Sequence, residues 1–579
     1  MNAPAASVRV FRLGDPRPID LGPRQFVAEG GEGKVFTRRG VAYKIHHDPA
    51  RVPPLDKLQR LAAFDDPCVL RPLELLVDGH GRPAGFTSKF VADAWPLGRL
   101  FPPAFRQREG VGEDAVRHLV LRLQRGIEHV HRHGGLIVDV NELNFLVLKD
   151  FSDVRFIDVD AWQVPGYPAT AIMDAVRDWT RPDFSPLTDW FSFGIVTFQL
   201  FTGLHPFKGR YEGAEPGWRG RLPADAPDDA FAVTRRRMQA GISVFHPEVK
   251  VPAAATPVDA LPPAWRAWYE ALFARGERRP PPSVFDRVVV AAPAPVALPP
   301  GGLEVTRLDR LDGRLLRLFV DALYRVAVTE TGVFLDGRRL TIAPEAVQAV
   351  AFSPRARRPV AVDGRGTIPA LVDLATGQPV PFGLAADAVA CQDGQVWLKA
   401  GDQVHRLALT EAGERLFASA QPVAQVLPHA ARLFPGVIIQ SLLGATYVSL
   451  LAEDQARQIR VPALDGFTVL DARHSRGVLV VGGHRGGRYA RMVFRFAADD
   501  TWDVHESDEA GVPPFLVLPS GVCLTLTDDG RLALTAARKG AAGQRMVDDP
   551  RLAGMPLLAE QGGGVLLGLG AEVIQARVK

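Results

Sequence analysis

The stretch VDVNELNFLV, residues 138–147, decides the fold of the first half of the chain. Its apolar flanks predict two short core strands joined by a loop. A polar side chain in such a run costs free energy unless it finds a partner. Asp139, Asn141 and Asn144 are therefore expected to hold either the loop's own backbone or a bound molecule, whereas Glu142 is expected to face solvent at the loop tip.

A glycine-rich hairpin and a lysine lie upstream of this loop. FVAEGGEGKVF, residues 26–36, predicts strand, turn and strand, with Gly30, Gly31 and Gly33 in the turn. Glycines let backbone N–H groups approach phosphate oxygens closely, and a simple turn is the alternative. VAYKI then places Lys44 inside a β-pattern, where it is either a solvent-facing residue or one that reaches phosphates beneath the hairpin.

The order of these motifs resembles the protein-kinase signature: glycine loop, strand lysine, Asp-x-x-x-x-Asn and an Asp that ends a strand. The resemblance implies a two-lobed α+β domain that binds ATP and Mg²⁺ and phosphorylates Ser or Thr on a protein. It implies that Lys44 binds phosphates and that Asp139 is the base, with Lys44, Asp139 and Asn144 forming the catalytic set. Asn144 and Asp158 would bind the metal. Asp158 is preferred to Asp160 because its spacing from Asn144 is that of the family, which leaves Asp160 as an auxiliary ligand or a solvated residue.

Further motifs extend the resemblance over residues 26–288. His131 precedes Asp139 by the spacing of the family's structural histidine, and TDWFSFGIVTFQLFTGLHPF resembles the family's long buried helix. By resemblance, Asp189 at the start of that helix hydrogen-bonds the backbone of the catalytic loop. Arg279, in ARGERRPPPSVF, would pair with Asp183.

The chain departs from the kinase pattern at several positions. Ala28 replaces the first glycine of the loop, and Ile137-Val138 replaces the usual His-Arg, so that no arginine is present there to read a phosphate on the activation loop. The acid that should hold Lys44 can only be Asp56, in PPLDKLQRLAAF. An aspartate just after Pro-Pro is equally a natural N-cap of the helix that follows.

The motifs VDVNELNFLV, FIDVDAWQV and MQAGISVF resemble a bacterial Ser/Thr protein-kinase-like family with variable C-terminal modules. Its members belong to stress systems of the tellurium-resistance type. This implies two possible protein partners, a von Willebrand-type domain protein and a metal-dependent protein phosphatase, and a role in bacterial stress signalling.

The second half of the chain has a different pattern. Short alternating runs are separated by turn dipeptides such as Asp336-Gly337, Asp363-Gly364, Asp393-Gly394, Gly401-Asp402 and Asp529-Gly530. Asp-Gly between alternating runs predicts β-hairpins. Repeats of about 40 residues favour a six- or seven-bladed β-propeller, and two β-sandwiches in tandem are the alternative.

These patterns predict a kinase-like domain at 1–290, with an N-lobe at about 8–92 and a C-lobe at about 93–290. An Ala/Pro-rich linker at 291–302 and an all-β domain at 303–579 follow. The propeller would recognise the partner. A pseudokinase scaffold that binds nucleotide, and a small-molecule kinase of the same fold, remain alternative functions.

Composition excludes several classes of protein. The formal net charge of +3, with no basic and aromatic block, argues against a nucleic-acid partner. Three cysteines far apart in the sequence fit a reducing compartment. No apolar segment is long enough to span a membrane, so the sequence predicts a cytoplasmic protein.

Overall fold

A computed structural model of the 579-residue chain describes residues 7–578 apart from 93, 171, 217–230, 253–254, 283–302, 453–455, 487, 508–511, 528–529, 538, 540–543, 555 and 562–563. The chain divides into two compact units. The first comprises Met1–Pro103, Val111–Pro293 and Arg485–Arg488, and the second comprises Ala104–Gly110, Ala294–His484 and Tyr489–Lys579. The predicted linker at 291–302 lies outside the described residues.

A seven-stranded antiparallel sheet opens the first unit, in the order β2-β1-β6-β7-β5-β4-β3. Its strands are β1 Val8–Arg12, β2 Ile19–Leu21, β3 Phe26–Glu29, β4 Gly33–Arg38, β5 Val41–His46, β6 Glu74–Val77 and β7 Pro83–Lys89. The predicted hairpin is therefore β3 and β4, and Lys44 lies in β5, next to β4.

Shorter strands and five of the six described α-helices complete the first unit, whereas α2 lies in the second unit except for its first residue. The strands are β8 Ala94–Pro96, β9 Phe145–Leu148, β10 Val154–Phe156, β11 Arg210–Tyr211 and β12 Val249–Lys250. The described helices are α1 Leu55–Leu61, α2 Pro103–Glu109, α3 Glu113–Arg132, α4 Pro186–Thr202, α5 Ala232–Ala240 and α6 Pro263–Phe273. Of the two strands expected within residues 138–147, only β9 forms, because the residues before it are held by side chains of other elements.

Helix α4 is the buried centre of this unit. Ser185 and Thr188 form a capping box at its N-terminus, and Gly203 ends it in the left-handed conformation. Aromatic residues of α6 pack against it, and the Tyr269 hydroxyl donates a hydrogen bond of 2.9 Å to Thr197 Oγ1. A helix buried on nearly every side must be apolar on nearly every side, which explains the long apolar run in the sequence.

The second unit contains seven four-stranded antiparallel sheets among its described residues. One sheet joins β13 Leu303–Arg310 to β40 Glu572–Val578, β39 Gly564–Leu569 and β38 Leu557–Gln561. The other six each follow the chain in order, and their strands are β14 Leu315–Val320, β15 Arg325–Thr329, β16 Val333–Leu335, β17 Arg338–Leu340; β18 Ala349–Phe352, β19 Pro359–Asp363, β20 Ala370–Asp373, β21 Pro379–Val380; β22 Ala388–Gln392, β23 Gln395–Ala400, β24 Gln403–Ala412, β25 Arg415–Gln425; β26 Ala431–Phe434, β27 Val437–Leu442, β28 Ala445–Leu451, β29 Ala456–Arg460; β30 Thr468–Ser475, β31 Val478–Arg485, β32 Arg488–Phe496, β33 Trp502–Ser507; β34 Phe515–Val517, β35 Val522–Leu526, β36 Leu532–Ala536 and β37 Gln544–Val547.

The hairpin turns follow the dipeptide pattern in most cases. Asp336-Gly337 and Asp393-Gly394 have positive φ at both residues and each join two strands directly. Gly401-Asp402 likewise joins β23 to β24. At Asp363-Gly364 the hairpin forms as well, but six residues separate β19 from β20, and the Asp363 carboxylate binds Arg365 within that longer loop. Asp529 lies outside the described residues.

None of the helices described in either unit combines the length and the apolar character needed to cross a membrane.

Candidate active site

Asp189 organises the loop that carries Asp139. Its buried carboxylate accepts hydrogen bonds of 2.9 Å from the backbone N–H groups of Ile137 and Val138, and His131 Nε2 lies 2.8 Å from Oδ2. Val138 has φ +64°, a conformation that a β-branched residue rarely adopts. The surrounding contacts hold this strained residue in place. The expected hydrogen bonds from the loop backbone to Asp189 are confirmed.

Asp139 and Asn144 lie together at the two ends of the loop. Asn144 Nδ2 donates to Asp139 Oδ2 at 3.1 Å and to the Asp139 carbonyl oxygen at 3.0 Å, and the Met173 N–H donates to Asp139 Oδ1 at 2.8 Å. Burial raises the pKa of Asp139, although these hydrogen bonds oppose the shift. A carboxylate with a raised pKa is a better proton acceptor than a solvated one.

The other two polar residues of the loop have separate environments. Asn141 Oδ1 accepts the N–H of Leu143 at 2.8 Å, so this carboxamide holds the loop's own backbone. The expectation for Glu142 was wrong: it is 2% exposed, and burial raises its pKa to about 7. Its Oε1 has no hydrogen-bond partner within the described part of the chain. The backbone turn points this side chain inward rather than to solvent.

Three carboxylates surround the Lys44 ammonium. Its Nζ lies 2.8 Å from Asp160 Oδ2, 3.3 Å from Asp158 Oδ1 and 3.3 Å from Glu32 Oε2. Burial alone would lower the pKa of Lys44, but the carboxylates together raise it, so the lysine is charged. Asp160 is not solvated, as one interpretation of the sequence held, because its side chain is 4% exposed. Asp158 is half exposed and has φ +54°.

The structure does not bring Asp56 to Lys44. Helix α1 buries Lys57, Leu58 and Leu61, and this places Asp56 on the solvent side, where it accepts a hydrogen bond from the Tyr167 hydroxyl. The N-cap alternative fails as well, because Pro54 is the N-cap residue and Asp56 lies in the first turn. Asp160 therefore occupies the place beside Lys44 that the sequence assigned to the helix acid.

Lys57 is the residue of α1 that reaches the site. Its Nζ donates a hydrogen bond of 2.7 Å to the Asp160 carbonyl oxygen, and the residue is 4% exposed. Burial lowers its pKa, whereas Asp160 acts in the opposite direction. The sequence signal for this role was weak: a lysine beside Leu58 on the face that α1 buries.

The three glycines of the hairpin turn differ in what surrounds them. Gly30 and Gly31 are exposed, and a Cβ at either would meet nothing within 4 Å. A Cβ at Gly33 would lie 2.3 Å from the Ile45 carbonyl oxygen. Gly33 therefore permits the close approach of β4 and β5, and only Gly30 and Gly31 leave room above the hairpin.

This difference gives a matched pair of variants. Gly33→Ala should lower the free energy of unfolding by about 2 kcal/mol, because the added methyl group collides with backbone that has nowhere to move. Gly31→Ala should change it little. Chemical denaturation of both variants measures the difference, and equal stabilities would show that β4 and β5 can separate without loss.

The ion pair expected between Arg279 and Asp183 does not form, and a neighbouring pair takes its place. Arg278, not Arg279, forms it, and its partner is Asp178 rather than Asp183: Nε lies 2.6 Å from Oδ2 and Nη2 lies 3.0 Å from Oδ1. Both side chains are almost fully buried, whereas Arg279 and Asp183 are exposed. The sequence cannot distinguish two adjacent arginines, because their side chains are chemically identical. Only the folded structure shows which of the two side chains points to the buried aspartate.

The site offers oxygen atoms suited to Mg²⁺. The amide nitrogen of Asn144 faces Asp139, which leaves the amide oxygen for a cation, and the Asp158 side chain is half exposed. The described residues contain no group of three or more His, Cys, Asp or Glu side chains that could hold a metal by itself. Asn144 and Asp158 could hold a cation that takes two protein oxygens and completes its shell with other ligands.

Contacts connect the four residues that the sequence predicted for catalysis and metal binding. Lys44 binds Asp158, the N–H of Ile157 donates to the Asn144 carbonyl oxygen at 2.9 Å, and Asn144 binds Asp139. One site therefore combines a cation, two groups with metal-binding oxygens and a buried carboxylate.

Comparisons with known proteins agree with a kinase-like relationship for the chain. No family model matches. Two curated relatives, both described as "Protein kinase YegI", come from Escherichia coli O157:H7 and from Escherichia coli strain K12. Each is 26% identical, over 275 and 271 residues, and the match covers 43% of this chain. The chain spans only 41% and 40% of the length of these relatives.

A solved structure described as "ROP18 kinase domain in complex with AMP-PNP and sucrose" is also similar. It shares 16% sequence identity with a TM-score of 0.27, over 35% of this chain and 69% of that chain. A TM-score this low carries no argument about the fold. The kinase-like relationship therefore rests on the similarity to the two bacterial kinases.

Proposed function

We propose that the chain is an ATP- and Mg²⁺-dependent protein kinase that phosphorylates Ser or Thr of a protein partner. The observation that carries the proposal is the connected set of Lys44, Asp158, Asn144 and Asp139, which joins three separate segments of the chain at one site. Phosphoryl transfer depends mainly on positioning and on neutralising charge, and these residue types supply both.

Each residue has a role that its environment supports. Lys44, charged and 12% exposed, would bind the phosphates of ATP in exchange for its present carboxylate partners. Asp139 would orient the acceptor hydroxyl and take its proton. The oxygens of Asn144 and Asp158 would hold Mg²⁺, which when bound neutralises charge on the transferred group.

We further propose that the second unit is a seven-bladed β-propeller. Three observations support this. Its described residues form seven four-stranded sheets, strand β13 completes the sheet formed by the last three strands, and the first strands of several successive sheets contact one another. Pairing the start of such a unit with its end closes the ring of sheets and removes exposed edges.

The propeller would act as the partner-recognition module. By the family resemblance, the partners would be a von Willebrand-type domain protein and a metal-dependent protein phosphatase of a bacterial stress system. Fold does not imply function, so this assignment depends on the partner experiment below.

A pseudokinase scaffold that binds nucleotide and organises partners through the propeller is the second candidate. One observation favours it: both carboxylate oxygens of Asp139 already accept hydrogen bonds, one of them from the N–H of Met173. Each oxygen keeps a second lone pair, so the acceptor hydroxyl can still bind.

Incubation of the purified chain with labelled ATP and Mg²⁺, with and without each partner, tests the proposal. Transfer of label to a partner supports the kinase. Nucleotide binding without transfer to any protein, the chain itself included, would support the scaffold.

Activity should not require phosphorylation of the loop after Asp158. Thr170 is exposed, and Val138 occupies the position from which an arginine would bind its phosphate. Thr170→Ala should therefore keep most of the activity towards the partner, measured as initial rates. Thr180 is a poor test residue because its hydroxyl donates to Asp178. A collapse of activity in Thr170→Ala that Thr170→Glu restores would contradict this expectation.

A further inference from the structure

Glu32 lies in the turn of the glycine-rich hairpin, between Gly31 and Gly33. Its carbonyl oxygen accepts the N–H of His47 at 2.9 Å. Gly33 packs so closely against β5 that a Cβ there would meet the Ile45 carbonyl oxygen. The backbone at Glu32 is therefore fixed on both sides, and only the carboxylate end of the side chain can change its position.

This carboxylate bridges the gap between the turn and the lysine of β5. Glu32 Oε2 lies 3.3 Å from Lys44 Nζ, and the side chain of Glu32 is 27% exposed. A phosphate bound between the glycine turn and Lys44, as the proposed function requires, would have to occupy the same gap. A carboxylate and a phosphate both accept charge-assisted hydrogen bonds from an ammonium group, so the two compete for Lys44.

The other two carboxylates at Lys44 are bound differently. Asp160 contacts the ammonium through both oxygens, at 2.8 and 3.0 Å, and Lys57 holds its carbonyl oxygen. Asp158 is the residue proposed to hold Mg²⁺. Burial lowers the pKa of Lys44, and of the three carboxylates that raise it Glu32 acts least. Glu32 is therefore the partner of Lys44 that a phosphate can replace.

The charges at this place favour an anion that arrives with a cation. The three carboxylates carry one negative charge more than the ammonium groups of Lys44 and Lys57 can balance. His46 lies 3.6 Å from Asp160, but burial lowers the pKa of this imidazole, so it adds no charge at neutral pH. A further anion is repelled from such a site unless a cation offsets its charge.

We propose that Glu32 selects magnesium-bound nucleotide over free nucleotide. The inference rests on the proposed function, since it requires that nucleotide phosphates bind at Lys44. The Glu32 carboxylate binds Lys44 until a phosphate replaces it, and its charge disfavours a triphosphate that no cation accompanies. Glu32 is thus a specificity-determining residue that takes no part in the transfer itself.

Calorimetric titration of the full chain with ATP, once in excess Mg²⁺ and once in EDTA, tests this. Glu32→Gln keeps the length of the side chain and removes its charge. It should raise the affinity for free ATP at least about tenfold, and the affinity for Mg·ATP by about threefold or less. The preference of the wild type for Mg·ATP should therefore shrink in the variant, which the loss of a purely structural residue would not cause.

Glu29→Gln is the matched control. Glu29 lies in the same hairpin and pairs, among the described residues, with His47 at 3.4 Å and Lys34 at 3.7 Å. This variant should bind both forms of ATP as the wild type does. Glu32→Ala covers the case in which glutamine keeps a hydrogen bond to Lys44, and it should show the same gain. All three variants should unfold near the wild-type temperature, because a partly exposed ion pair stabilises little.

The outcomes separate this inference from the proposed function. If the wild type binds Mg·ATP and neither Glu32 variant gains affinity for free ATP, the role of Glu32 alone is wrong. A loss of Mg·ATP affinity in Glu32→Gln would also overturn it, because Glu32 would then be a ligand of the cation. A wild type that binds no nucleotide in either buffer would contradict the proposed function, and the inference with it.

Discussion

Asp139→Asn should lower phosphoryl transfer at least about a hundredfold and leave nucleotide affinity almost unchanged. Asp139 accepts hydrogen bonds from Asn144 and from the Met173 N–H. The ion pairs of Lys44 are with other carboxylates, such as that of Asp160. Asparagine keeps the shape of the side chain and can still accept the Met173 N–H. It has no basic carboxylate oxygen to take a proton from the acceptor, so the loss falls on the chemical step.

Nucleotide titration and initial rates separate this effect from a binding defect. Asp183→Asn is the matched control, since Asp183 is exposed and lies outside the site. Asp158→Asn should reduce both Mg·ATP affinity and activity, because the Asp158 carboxylate is one of the two groups proposed to hold Mg²⁺. Wild-type rates in Asp139→Asn would remove Asp139 from the role of base.

The raised pKa of Asp139 also predicts how activity falls at acidic pH. Burial raises the pKa of Asp139 above the ordinary aspartate value of 3.8, and the base acts only when ionised. Activity of the wild type should therefore disappear, as pH falls, at a higher pH than a solvated aspartate would give.

Lys57→Met should lower activity by about a hundredfold through a loss of positioning. Lys57 holds the Asp160 carbonyl oxygen, and the Asp160 carboxylate holds Lys44. Methionine fills a similar volume but cannot donate, so Asp160 loses its anchor and Lys44 its orientation. The expected signature is a weaker affinity for ATP together with a lower kcat, at a nearly unchanged unfolding temperature.

Arg60→Met is the control for the Lys57 variant, because Arg60 lies exposed on the same helix α1. It should behave as the wild type in both assays. If Lys57→Met keeps the wild-type kcat and affinity for ATP, the positioning role is wrong. If it loses activity only because the chain unfolds, the unfolding temperature will reveal it, and partial rescue by Lys57→Arg will show whether the donated hydrogen bond matters.

The positions of Lys44, Asp139, Asn144 and Asp158 could be predicted because each is tied to local sequence. A lysine in a short apolar strand and polar residues beside core strands are visible from alternation alone. Their order along the chain then indicates one site. The long buried helix was equally visible, since burial on all sides requires an unbroken apolar run.

Residues whose role depends on which way the side chain points could not be predicted in this way. Asp56 was the only acid available in its segment, yet a rotation of one position around α1 turns it to solvent and turns Lys57 inward. The pair Arg278 and Asp178 displaced the expected Arg279 and Asp183 for the same reason. Glu142 looked like a loop-tip residue and is buried.

By itself, the sequence determined the kinase-like order of motifs in the first half and the succession of short hairpins in the second. Only the tertiary structure decided that Asp160 holds Lys44, and that the segment Ala104–Gly110 groups with the second unit, where Arg108 meets Asp471 and Arg317. Strand and turn preferences act between neighbours along the chain and can be read from it. Ion pairs between distant segments depend on which side chains packing turns towards each other, and no local pattern records that choice.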